Sequence, residues 1–88
     1  MNDIEKKAKA IVYRVAQAIE VWRAKHRGND PVILMTAPQI ATVAMGAPGV
    51  IDVDKKENRG TILGCYLDVL ADSGDGEARI YLAEEIRV

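Results

Sequence analysis

The stretch NDIEKKAKAIVYRVAQAIEVWRAKHR, residues 2–27, decides the fold. Its apolar residues Ile4, Ala8, Ile11, Val15, Ile19 and Trp22 recur in steps of three and four, the spacing of one helix face. Val12, Ala16, Ala18 and Val21 widen that stripe, while Lys7, Arg14, Gln17, Arg23 and Lys25 fall outside it. Asn2 with Glu5 offers an N-terminal capping pair, and Lys25, His26 and Arg27 place cations in the last turn, where they suit the helix dipole. Gly28 supplies a left-handed stop and Pro31 prevents resumption.

Beyond this helix, Val32-Ile33-Leu34-Met35 is too short for a helix and reads as a buried strand. Thr36-Ala37-Pro38-Gln39 opens a second, shorter helix that runs to about Met45 and stops at Gly46. Val50 to Val53 reads as a brief strand and Asp54 to Arg59 as a charged loop. Thr61 to Ala71 reads as one strand, with Leu63, Cys65, Leu67, Val69 and Ala71 on one face. Ser73-Gly74-Asp75-Gly76 signals a turn, and Glu77 to Ala83 returns as the second arm of a hairpin, with Ala78, Ile80 and Leu82 inward. The order predicts a single α+β domain over residues 1–88: a long N-terminal helix, a strand, a short helix, then a three-stranded, mostly antiparallel segment ending in a hairpin.

An 88-residue chain has room for one small core. Hydrophobic residues make up 49% of it, but Phe is absent, so that core is aliphatic. Small cores are marginal, and oligomerisation is a common remedy where neither disulfide nor structural metal is on offer. A helix of about 24 residues is about 36 Å long, whereas a compact domain of this size is about 30 Å across. The excess predicts an overhang, with Ile4, Ala8, Ile11 and Val15 covered by a second copy in a homo-oligomer, at least a dimer.

Net charge is −1, divided into +4 over residues 1–27 and −5 over residues 28–88. Such polarity can steer an anionic partner to the helix, although a solvated helix face beside an acidic sheet is the simpler reading. The single Cys65, the lysines that interrupt the first apolar run, and the lack of a membrane-spanning stretch predict a cytoplasmic protein.

Candidate chemistry is thin. His26, the only histidine, stands among cations with no orienting carboxylate nearby in sequence, and Cys65 sits on an apolar strand face. No catalytic residue, cofactor or metal site is expected. Asp52 and Asp54 share a strand face but lack calcium-loop spacing, and the short apolar second helix is unsuited to reading DNA. Anion binding has more support. Lys55, Lys56 and Arg59 cluster beside Gly60, Thr36 opens a helix whose first amides suit a phosphate, and Arg79 with Tyr81 could pair a phosphate and stack a base.

The segments Pro31-Val32-Ile33-Leu34-Met35-Thr36-Ala37-Pro38 and Gly60-Thr61-Ile62-Leu63-Gly64-Cys65-Tyr66-Leu67-Asp68-Val69 resemble part of the tailed-phage major capsid pattern. There a long spine helix precedes a strand, followed by a helix and a Gly-Thr-Leu-x-Gly strand. The chain is much shorter than a capsid protein, and Tyr66 stands where the family usually has Pro. The resemblance implies a phage or prophage origin and assigns no functional residue. The resulting expectation is a small, non-enzymatic, oligomeric binding protein of the anti-defence kind. It would block a protein partner or sequester a small anionic, nucleotide-type ligand. The alternative is a structural or assembly protein related to virion components.

Overall fold

A computed structural model of the chain describes residues 2–70 and 80–84. The elements are α1 (Asp3–Lys25), β1 (Val32–Thr36), α2 (Ala37–Gly46), β2 (Ile51–Asp54), β3 (Arg59–Ile62), β4 (Cys65–Leu70) and β5 (Tyr81–Ala83). They form the expected α+β class, with two helices against a mostly antiparallel sheet of five strands in the order β2-β3-β4-β1-β5. Among the described residues, only the β1–β4 pair is parallel. Among the described residues, no helix is long and apolar enough to cross a membrane.

Helix α1 starts where its sequence directs. The Asn2 side chain accepts from the Glu5 amide at 2.8 Å, occupying one of the donors a helix N-terminus leaves over. At the other end Arg27 and Gly28 both adopt positive φ, at 55° and 81°, and the Gly28 amide donates back to the Arg23 carbonyl at 2.8 Å. The stripe buries Ala8, Ile11, Val15 and Ile19.

What covers that stripe differs from expectation. Ala8 and Val15 are fully buried and Ile11 is 8% exposed within a single chain, so these three are core residues and are not open to a second copy. Only Ile4 keeps substantial exposure, at 40%. The reason is α2, which lies along the N-terminal half of α1. Gly46 sits so close that a Cβ built on it would stand 2.5 Å from the Ile4 carbonyl oxygen and 2.7 Å from the Ala8 Cβ. A molecule 40 Å in its longest dimension also accommodates the length of the helix.

The sheet departs from the sequence reading in two places. The stretch read as one strand from Thr61 is two strands joined by the two-residue turn Leu63-Gly64, with Ile62 and Cys65 paired across it. Both turn residues have positive φ, 51° and 83°, the geometry that matches the twist of paired strands. Leucine in that region hides a turn that Asn-Gly would have announced. Cys65 and Leu67 still point to the core as expected, while Leu63 lies in the turn and Val69 is 67% exposed. Because a leucine at positive φ carries a steric penalty of about 1 kcal/mol, Leu63→Asn should raise stability by about that amount and Tm by about 4–8 °C. A calorimetric scan showing a lower Tm would mean that Leu63 packing outweighs its backbone strain.

The second departure concerns the last strand. β5 does not pair with β4. It pairs antiparallel with β1, Leu34 opposite Tyr81 and Val32 opposite Ala83, and β1 separates it from β4. The expected final hairpin is thus replaced by an arrangement in which the apolar β1 takes the more buried place between them. Its turn residues Ser73 to Gly76 lie outside the described residues. Ile80 and Leu82 do face the core. That core joins Ile11, Val15 and Ile19 of α1 to Val43 of α2 and to Ile33, Met35, Ile62 and Cys65 of the sheet.

Candidate functional site

One face of the sheet packs against the helices, and side-chain alternation sends Asp54, Arg59, Tyr66 and Asp68 to the other. On that face Arg59 lies 4.0 Å over the Tyr66 ring and 3.5 Å from Asp68, while the Tyr66 hydroxyl donates to Asp54 at 3.5 Å. The β3–β4 hairpin creates the cluster by folding Arg59 back alongside β4. Asp54 also accepts from the Lys56 and Glu57 amides, which shapes the β2–β3 turn.

A cleft of about 710 Å³ runs along this region, lined by Trp22, His26, the loop from Gly28 to Pro31, Asp54, Thr61, Gly64, Cys65, Tyr66 and Glu84. Trp22 and His26, one helical turn apart in α1, stack at 3.8 Å with planes 11° apart. His26 Nδ1 lies 3.0 Å from the Trp22 carbonyl, which fixes the ring when Nδ1 carries the proton. Nε2 then faces Glu84 at 3.7 Å, a carboxylate far away in sequence. Asp30 accepts from Arg23 at 2.6 Å and closes the loop that leads from α1 to β1. Cys65 is 1% exposed. Burial, reinforced by the negative charge of Asp30 and opposed by Arg23, pushes its thiol above the ordinary range, which keeps it protonated and a poor nucleophile at neutral pH.

Among the described residues, those expected to hold an anion do not converge. Lys55 and Lys56 are exposed on the β2–β3 turn, and Arg59 is engaged with Tyr66 and Asp68. Thr36 caps α2: its hydroxyl accepts from the Gln39 amide at 3.4 Å and its own amide donates to the Gln39 side chain at 2.9 Å. These bonds close the capping box and use donors a phosphate would need. Tyr81 is on β5, with β4 and β1 between it and β3. Arg79 lies outside the described residues. None of the described ones lines the cleft, whose carboxylates Asp30, Asp54 and Glu84 favour a cation instead.

A second surface stands out by what it lacks. Residues 31–51 contain no charged side chain. Ala37, Pro38, Ala41, Ala44 and Met45 are all exposed, and at 100° per residue they occupy one arc of α2. Met45 is 67% exposed. The outward face of a surface helix ordinarily carries polar or charged residues. No protein-family model, curated protein or solved structure matches the chain.

Proposed function

We propose that the chain is a non-enzymatic, homo-oligomeric binding protein that acts by occupying a protein partner. The observation that supports this reading most is the uncharged, exposed outer arc of α2. An apolar patch on a small domain marks a surface that another protein covers. A second copy is the occupant proposed for it, because an uncharged patch meets its own image without like-charge repulsion and its small side chains permit close helix approach. This relocates self-association from the buried stripe of α1 to the exposed arc of α2. The nucleotide-sequestering version of the binding role has no convergent basic site among the described residues to support it, so the proposal is protein binding.

Sedimentation equilibrium tests the association. Wild-type chain should run at twice the chain mass or more, and Ala41→Glu, which places a charge at the centre of the arc, should run as a monomer with an unchanged circular dichroism spectrum. A monomeric wild type across a wide concentration range would refute the proposal. A structural or virion-assembly role draws on the same arc and on the capsid-like segments of the sequence, and it is distinguished by mass: large closed assemblies support assembly, a dimer or small ring supports the binding role.

A further inference from the structure

The cleft extends between opposite edges of the sheet. Glu84 directly follows the edge strand β5, and Asp54 ends the edge strand β2. Four strand spacings separate those edges, about 19 Å, a distance that about six residues of extended chain cover. Negative charge is placed along this length by Glu84, Asp30 and Asp54. Asp30 is paired with Arg23, and the nearby Arg59 is held against Tyr66 and Asp68, outside the lining. Asp54 takes its bonds from two amides and a phenol, and Glu84 faces an imidazole, so neither has a full cationic partner among the described residues. An aromatic group stands beside each end carboxylate: the Trp22–His26 stack near Glu84, and at Asp54 Tyr66, one face of whose ring already carries the Arg59 guanidinium. A carboxylate beside an aromatic group is a setting that favours a guanidinium or ammonium group.

We propose that this cleft seats an extended, basic segment of a partner protein, with one cationic side chain at the Glu84 end and a second at the Asp54 end. The inference rests on the reading of the chain as a protein-binding module and names the chemistry of its partner. It does not depend on association through α2, which uses a different part of the surface.

Trp22 is the only tryptophan and lines the cleft, so its fluorescence reports occupancy. The probe is the hexapeptide acetyl-Arg-Gly-Ser-Gly-Ser-Arg-amide, with the peptide carrying Glu in place of both Arg as a control. The arginine peptide should produce a saturable change in emission that weakens as salt is raised. Glu84→Gln and Asp54→Asn should each weaken binding at least tenfold without changing the circular dichroism spectrum, because both replaced residues keep a hydrogen-bond acceptor. No saturation, equal response to the glutamate peptide, or unchanged affinity in both variants would overturn the proposal. Agmatine, a free cation with one guanidinium, separates a small-molecule pocket from a segment-binding cleft: affinity equal to that of the peptide would also overturn it. Sedimentation of the same samples keeps the two readings apart. An oligomer that ignores the peptide contradicts the cleft alone, and a monomer that binds the peptide contradicts α2 association alone.

Discussion

Val15→Asp is expected to leave the chain unfolded. Val15 is fully buried among Ile11, Ile19, Ile33, Met35 and Val43, and every member of the surrounding core cluster is apolar or a protonated thiol. A carboxylate there would have no hydrogen-bond partner, and the effective penalty of burying an unpaired charge is several kcal/mol. A single small core supplies about 3–5 kcal/mol in total, so the penalty is comparable to the whole stability. Tyr13→Asp is the control. Tyr13 is 64% exposed and two positions away on the opposite side of the helix, where a charge should change stability by less than about 0.5 kcal/mol. Amide dispersion in a proton–nitrogen spectrum distinguishes them. A dispersed spectrum for Val15→Asp together with a collapsed one for Tyr13→Asp would mean that α1 presents the other face to the sheet.

Gly46→Ala is the second large effect, and its sign is what makes it informative. Gly46 ends α2, and helix propensity alone would favour alanine there by up to about 1 kcal/mol. Packing argues the reverse. The added Cβ would meet backbone at Ile4 and the Cβ of Ala8 at distances real atoms do not adopt, and neither neighbour is the end of a flexible side chain. The two helices would have to move apart and open the core around Ile11 and Val43. Overpacking of this kind costs about 1–3 kcal/mol. Chemical denaturation should therefore show a lower midpoint for Gly46→Ala, and adding Ala8→Gly should restore only part of it, since the Ile4 carbonyl remains in the way. A higher midpoint for Gly46→Ala would mean that α1 and α2 are not closely packed.

The fold was legible in the sequence wherever local chemistry was explicit. Asn2, Gly28, Thr36 and Pro38 marked helix ends because capping depends on residues three or four positions apart. The apolar spacing from Ala8 to Ile19 identified the buried face for the same reason. The Leu63-Gly64 turn was hidden because it places a leucine where only glycine or asparagine is comfortable, and continuous alternation from Thr61 onward imitates a single strand. The place of β1 between β4 and β5 was also hidden: turn residues announce that the chain reverses, and carry no information about a third strand inserted between the two arms.

Helix α1 does not overhang, because the molecule is elongated, 40 Å in its longest dimension, and α2 packs closely against the N-terminal half of α1. In the sequence Gly46 signals only a helix stop, because its second role, admitting α1 at short distance, depends on residues about forty positions away. The cleft was the least legible feature. Trp22 and His26 are visible as neighbours one helical turn apart and Asp30 follows in the next loop, but Glu84, Tyr66 and Asp54 reach them only through the sheet. The basic residues Lys55, Lys56 and Arg59 do cluster in sequence, yet the turn disperses the first two outward and the hairpin directs the third onto Tyr66.

In the proposed arrangement the apolar stripe of α1 is internal and the outer arc of α2 is the surface a second copy covers. An isotope-filtered nuclear Overhauser spectrum tests it most directly, using an equal mixture of chains labelled with carbon-13 at the methionine methyls and unlabelled chains. Met45 should show intermolecular cross-peaks to alanine methyls of the unlabelled copy, those of Ala41 and Ala44, and these should vanish in Ala41→Glu. Intermolecular cross-peaks from Met35, which is fully buried in the core of one chain, or none from Met45 in a sample that sediments as an oligomer, would contradict the account.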